Sequence, residues 1–268
     1  MYFVVPLLIL IAVFLYLIMP SFKRHKELKK LEGKYISHRG LHNLKEGIPE
    51  NSLKAFEKSA IKGYPIELDI RLTKDGEVVV FHDSSLERAC GVNKSVYDLT
   101  LNELKEYTLF GTQEKIPTFK EVLDAVDCRV PFLVELKDDV YSPELLVVKT
   151  QEILHDYKGD YFVQSFNPKI IEVYKKRYPD LCRGQLSTAY YNEKFILRLL
   201  GSLLINFISR PHFVSYEHFH KGNVFLNIAK LLGAFPICWT LKSQEDLDKA
   251  KPYFKAYIFE DFIPKENE

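Results

Sequence analysis

At 268 residues and a formal net charge of +1, the chain is long enough for one α/β barrel with a small appendage. Its charge balance offers no footprint for nucleic acid, and none is expected as a partner. The four cysteines, Cys90, Cys128, Cys182 and Cys238, include no CxxC pair, so neither a zinc site nor a disulfide framework is signalled, and buried reduced thiols are expected.

In chain order, the first element is apolar. Residues 2–19 are all apolar, aromatic or proline, about the length that crosses a hydrocarbon core of roughly 30 Å as a helix. Pro6 sits near its start, where a missing helical N–H matters least. No basic stretch precedes the run, and residues 19–22 make a poor cleavage context, so an uncleaved single-pass transmembrane anchor is expected rather than a secretory signal. Lys23, Arg24, His25, Lys26, Lys29 and Lys30 follow it. Residues 1–30 thus read as an anchor with a basic flank. Residues 31–268 form the main domain, expected on the cytoplasmic side of a membrane from the positive-inside bias.

Strands are then predicted at 35–37, 65–70, 78–81, 132–136, 161–165, 182–186, 213–216, 236–241 and 256–259, with amphipathic helical stretches between most of them. Such alternation means a parallel sheet. Asn51 or Ser52 caps a helix through Leu53, Phe56 and Ile61 that stops at Gly63; Pro117 with Thr118, Pro143 and Pro168 open three more. Runs 65–70 and 78–81 are too close for a parallel crossover and enclose Asp75 and Gly76, so they form a hairpin. Eight core strands remain, which predicts a closed (β/α)8 TIM barrel. Residues 84–115 form a small polar insertion after the second strand, with a helical piece around 101–107. Residues 195–208 are nearly continuously apolar, too short to span a bilayer. They read as a buried barrel helix, or alternatively as a shallow membrane-contacting element.

Active sites of such barrels lie at the C-terminal ends of the strands, so the polar residues there carry the functional reading. They are His38 and Arg39 after the first strand, Glu67 and Asp69 on the second, His82 and Asp83 after the hairpin, Glu135 and Lys137 on the next, then Gln164, Trp239, Glu260 and Asp261. Glu67 and Asp69, two apart on a strand, share a face. Together with Glu135 they make an all-oxygen set suited to one divalent cation, Mg²⁺ or Ca²⁺. His38 and His82 can serve as acid and base at neutral pH. Arg39 and Lys137 supply positive charge for phosphate. His212, His218 and His220 are irregularly spaced and read as surface histidines.

The ordered strings His38-Arg39-Gly40, Pro49-Glu50-Asn51-Ser52, Glu67-Leu68-Asp69, His82-Asp83 and Glu135-Leu136-Lys137 resemble the glycerophosphodiester phosphodiesterase family. Later stretches around Gln164-Ser165-Phe166 and Cys238-Trp239-Thr240 are also similar to it. The resemblance implies a (β/α)8 barrel with an insertion after the second strand. It implies Glu67, Asp69 and Glu135 as metal ligands, His38 and His82 as the acid–base pair, and Arg39, Lys137, Glu50, Gln164 and Trp239 as substrate contacts. It also implies release of glycerol 3-phosphate and an alcohol from small or lipid-derived glycerophosphodiesters, through attack by an internal glycerol hydroxyl. Ser52 stands where the family has Thr, Glu260 stands where it has Thr before Asp261, and the loop between Gly40 and Pro49 is longer than its common spacing. Two further readings stand beside it: a membrane-associated lysophospholipase D on the same fold, and a catalytically silent glycerophosphate-binding module.

Overall fold

The β-branched and aromatic runs assemble into one sheet in a computed structural model that describes residues 4–23, 25–137, 141–189, 198 and 201–265. Its strands are β1 (Tyr35–His38), β2 (Ile66–Leu72), β3 (Val78–Val80), β4 (Phe132–Leu136), β5 (Tyr161–Ser165), β6 (Arg183–Ser187), β7 (Phe213–Glu217), β8 (Phe235–Leu241) and β9 (Ala256–Phe259). They follow the order β1-β9-β8-β7-β6-β5-β4-β2-β3, and β1 also pairs with β2, which closes eight parallel strands into a barrel. β3 pairs antiparallel with β2 as the second arm of a hairpin. The (β/α)8 barrel read from the sequence is the fold observed.

Strand alternation sorts the side chains into an inner and an outer set. Inside the lower barrel, Ile36, Leu133, Phe162, Phe213, Ile237, Ala256 and Ile258 pack together. Gly184 leaves room for one of them: a Cβ there would lie 2.0 Å from the Phe213 ring. Facing outward, Leu68, Ile70, Val134, Leu136 and Val163 are buried beneath helices that supply Phe56, Phe119, Val122, Leu146 and Ile170. Those helices start as expected. Ser52 accepts from the Ala55 amide to cap Leu53–Ile61, and Thr118 and Glu121 form a capping box on Phe119–Val126. The insertion has a small core of its own, in which Leu86, Ala89, Val96, Leu99, Leu104 and Leu109 pack on Val79 and Phe81 of the hairpin.

The first helix differs from its expectation. It covers Val4–Ile18, fifteen residues, which at 1.5 Å per residue is roughly 22 Å. Among the described residues no helix is long and apolar enough to cross a membrane. Its last turn is docked on the barrel instead. Ile18 is fully buried, its carbonyl accepts from Asn206 Nδ2 at 2.9 Å, and the Tyr16 and Met19 carbonyls accept from Arg210 Nη1 at 2.9 and 2.7 Å. Arg210 lies just before β7, at the closed end of the barrel. Phe14 meets Phe225, with ring centroids 6.3 Å apart, in the first turn of helix Val224–Leu231, at the end where strands finish. The helix therefore runs from beside the first turn of helix Val224–Leu231 towards the segment before β7, and its apolar residues from Val4 to Val13 are exposed.

Two smaller expectations are corrected. His212 and His218 are buried rather than at the surface, and His220 is half-buried. His212 precedes β7 and His218 follows it, so the strand holds them apart and they form no cluster. Cys182 and Cys238 are buried, but Cys128 is exposed and Cys90 half-buried. Of the apolar stretch 195–208, Leu203 and Ile205 are buried against the barrel, while residues 195–197 and 199–200 lie outside the described residues, as does Arg24 of the basic flank.

Candidate active site

Register assembles the polar layer above the apolar barrel floor. Asp69 on β2 pairs with Glu135 on β4, and Glu135 pairs with Gln164 on β5. Glu67 lies one inward position below Asp69 on the same strand. All three acids are buried, and a ligand oxygen from each lies within 4.8 Å of the others. Lys137 Nζ reaches Asp69 Oδ1 at 2.9 Å and Glu135 Oε1 at 2.6 Å. Arg39 Nε stands 3.4 Å from Asp69 Oδ2, and the Arg39 amide donates to Glu67 Oε2 at 3.2 Å. Asn51, held in left-handed backbone, donates to Asp69 Oδ2 at 2.9 Å.

Crowded carboxylates away from water titrate apart. Burial, followed by the Asp69 and Glu135 charges, pushes Glu67 well above the usual carboxylate range. Burial acts the same way on Glu135, which is also raised. It would raise Asp69 too, but Lys137 and Arg39 hold that group well below its ordinary value. The cluster is thus short of positive charge. A buried, all-oxygen set of three carboxylates fits a hard divalent cation, and Glu67, Asp69 and Glu135 are the residues that would hold it.

Both histidines border this cluster. His38, at the end of β1, has Nε2 4.0 Å from Glu67 Oε2, while its Nδ1 is hydrogen-bonded to Glu260 Oε2. His82 follows β3; its Nδ1 is 2.6 Å from Asp83 Oδ1, and its carbonyl accepts from Arg71 Nε at 3.0 Å. Burial is the main cause that lowers both imidazoles, which keeps them neutral and able to accept a proton at neutral pH.

The remaining predicted contacts divide. Trp239 is half-buried, packs edge-on against Phe166, and carries a buried Nε1 with no hydrogen-bond partner among the described residues. Gln164 is buried and its Oε1 accepts from Ser215 at 2.6 Å. Glu50 is committed to protein partners: it accepts from Arg39 Nη1 at 2.8 Å and from Arg88 Nη2 at 2.7 Å. Arg88 was not among the sequence candidates. It comes from the insertion and also donates to Asp83 Oδ2 at 2.6 Å, so it ties the Arg39 side of the site to the His82 side. Nothing in its local sequence distinguishes it from the other charged residues of that polar stretch. Beside the mouth a cleft of about 820 Å³ opens, lined in part by His42, Asn43, Lys45, Lys58, Glu260 and Phe262.

The sequence profile of the glycerophosphoryl diester phosphodiesterase family matches residues 38–265. The chain belongs to that family. It is 33% identical over 231 residues to a glycerophosphodiester phosphodiesterase of Caldanaerobacter subterraneus, covering 80% of this chain and 88% of the relative. It is 32% identical over 240 residues to a lysophospholipase D of Rattus norvegicus, covering 78% and 74%. Among solved structures it is similar to the glycerophosphodiester phosphodiesterase of Thermotoga maritima, with 26% identity and a TM-score of 0.66 over 84% of this chain and 94% of that one. A phosphodiesterase of Oleispira antarctica in complex with the product sn-glycerol-3-phosphate shares the fold, with 23% identity and a TM-score of 0.71 over 86% and 93%. The chain is accordingly a phosphoric diester hydrolase, and the glycerophosphodiester phosphodiesterase motifs read from its sequence converge on one mouth of one barrel.

Proposed function

We propose that this glycerophosphodiester phosphodiesterase releases glycerol 3-phosphate with one Mg²⁺ or Ca²⁺ held by Glu67, Asp69 and Glu135 and with His38 and His82 as its acid–base pair. The observation that carries the reading is the buried three-carboxylate cluster bordered by two histidines whose Nδ1 atoms are each held by a further carboxylate. When bound, the cation neutralises charge on the phosphate oxygens. Arg39 and Lys137 bind and orient the same phosphate, Arg39 with a planar fork that Glu50 holds in place. A carboxylate only accepts hydrogen bonds. The His82 proton therefore sits on Nδ1 facing Asp83, which leaves Nε2 for the substrate. One histidine takes the proton of the attacking hydroxyl and the other returns a proton to the departing alcohol. The unpaired indole N–H of Trp239 supplies a donor for the glycerol end of the substrate, with Gln164 below it in the polar layer.

The position of the first helix favours a second substrate class, single-chain lysophospholipids taken from a lipid surface. Helix Val4–Ile18 is apolar on all sides and leaves the barrel beside its mouth, where Phe219 and Val224 are also exposed. Such a helix seats the mouth against lipid, with the barrel on the cytoplasmic side.

The test uses the full chain, stripped with chelator, with Mg²⁺ or Ca²⁺ restored separately. Release of glycerol 3-phosphate from glycerophosphocholine is compared with release of choline from vesicle-borne lysophosphatidylcholine. Metal-restored hydrolysis that falls by about 10² to 10⁴ in His38→Ala and in His82→Ala is expected. Near wild-type rates in both variants would sink the assignment. Turnover of the soluble diester alone, with no binding to vesicles, would remove the lipid reading and leave the rest.

A further inference from the structure

We infer that Glu260 is a positioning residue for His38, fixing the ring and the tautomer that the reaction uses. The inference rests on the reading of His38 as one of the acid–base pair. β9 runs beside β1 with Ser37 opposite Phe259, so one step further along each strand brings His38 and Glu260 together from positions 222 residues apart. The Glu260 side chain is held at both oxygens. Oε2 accepts from His38 Nδ1, and Oε1 accepts from Lys242 Nζ at 2.7 Å. Its backbone amide donates to the Leu241 carbonyl at 3.0 Å, which ties the residue to the end of β8. His42 Nε2 stands 3.8 Å from Oε2, beyond a direct hydrogen bond.

A carboxylate in this position has one consequence for the ring. The proton must sit on Nδ1, because Oε2 can only accept, and Nε2 is left with its lone pair. That nitrogen is the one 4.0 Å from Glu67, over the carboxylate cluster. When Nε2 takes a proton, the imidazolium that forms is stabilised by the negative charge already in contact with Nδ1. Asp83 makes the corresponding contact with His82 at 2.6 Å. The two histidines thus share one arrangement, although one partner is the next residue in the chain and the other arrives from its far end.

The experiment compares steady-state hydrolysis of glycerophosphocholine by the metal-restored full chain, wild type against Glu260→Gln, alone and in the His38→Ala background. Gln keeps the size and one acceptor but loses the charge and adds an N–H₂ that can turn towards the ring. The expected result is a kcat lower by roughly 10- to 100-fold, as for other groups that orient a reacting residue. KM should stay within about twofold and the unfolding midpoint should be unchanged. In His38→Ala the second substitution should add no further loss, because a residue acting only through His38 has nothing left to position. Wild-type kcat in Glu260→Gln, an effect in KM alone, or a full additional loss on top of His38→Ala would each overturn the inference. Slow His38→Ala beside fast Glu260→Gln removes the positioning role alone, whereas wild-type rates in His38→Ala remove the acid–base reading and this inference with it. If Glu260→Gln does not fold, Lys242→Met at the exposed partner reads the same contact: a lower kcat at unchanged KM supports it, and an unchanged kcat counts against it.

Discussion

Arg88 reaches from the insertion to Glu50 through Nη1 and Nη2, at 3.2 and 2.7 Å, and to Asp83 through Nε at 2.6 Å. Burial alone would raise both carboxyls, but the Arg88 hydrogen bonds hold Glu50 and Asp83 below their ordinary values. A lowered folded-state pKa stabilises the fold above the unfolded-state pKa, and that stability is lost as pH falls through the folded-state value. Unfolded Glu and Asp titrate near about 4.3 and 3.9. Arg88→Met should therefore unfold more easily than wild type at neutral pH, and the gap should close as pH falls below about 4. Urea unfolding across a pH series checks this, and a gap that stays constant into acid would refute the pairing. The residues proposed to react were legible in the chain, because their types and order are unusual and they lie at or just after strand ends. Arg88 was not, because a lone arginine in a charged insertion acquires its partners only through folding. Glu50 was legible as a site residue, but its commitment to two guanidinium groups was not.

The segment between β1 and helix Leu53–Ile61 passes close to that helix. The Leu41 amide donates to the Ala55 carbonyl at 3.1 Å, and the Asn51 amide to the Arg39 carbonyl at 3.0 Å. Gly40 permits the approach: its φ is +80°, and a Cβ there would lie 2.8 Å from the Ala55 carbonyl carbon and Cβ. Gly47, in the same loop, has φ +70°, and a Cβ there would meet nothing within 4 Å. Gly47→Ala should cost about 1–2 kcal/mol for its backbone alone. Gly40→Ala should cost about 1–3 kcal/mol more for overpacking and should lower activity by shifting Arg39. Equal losses in the two variants, measured by chemical unfolding, would show that the close approach contributes nothing. At this scale the hairpin was legible from the short spacing around Asp75 and Gly76, and the helix starts from Ser52 and Thr118. Burial of His212 and His218 was not, since polar residues at the two ends of a short strand look like loop residues until neighbouring elements cover them.

For the molecule as a whole, a cation held by the proposed three-carboxylate site would couple its binding to folding. An ion that binds only the folded chain stabilises it by about 2.7 kcal/mol at a hundred times its Kd, which for a chain of this size raises Tm by roughly 5 to 10 °C. Glu67→Gln and Glu135→Gln should lose that increment. In chelator they should be as stable as wild type or more so, because each removes like-charge crowding. Calorimetry with and without Mg²⁺ or Ca²⁺ decides it, and an undiminished increment in both variants would place the ion elsewhere.

The barrel and the chemistry of its mouth were determined by the sequence alone. Alternation on β2 and β4 commits Leu68, Ile70 and Val134 to one face and the acids to the other, and the strand count admits one closed arrangement. What tertiary structure decided was every contact between residues distant in the chain: Glu260 against His38, Arg88 across Glu50 and Asp83, and the docking of the first helix. That helix shows the reason most directly. Its apolar composition is the same whether it crosses a bilayer or leans on a protein, and contacts such as those of Ile18 with Asn206 and of Tyr16 and Met19 with Arg210 tie its last turn to the barrel. Local pattern encodes which face is apolar, whereas the surface that covers the face is set by closure of the sheet.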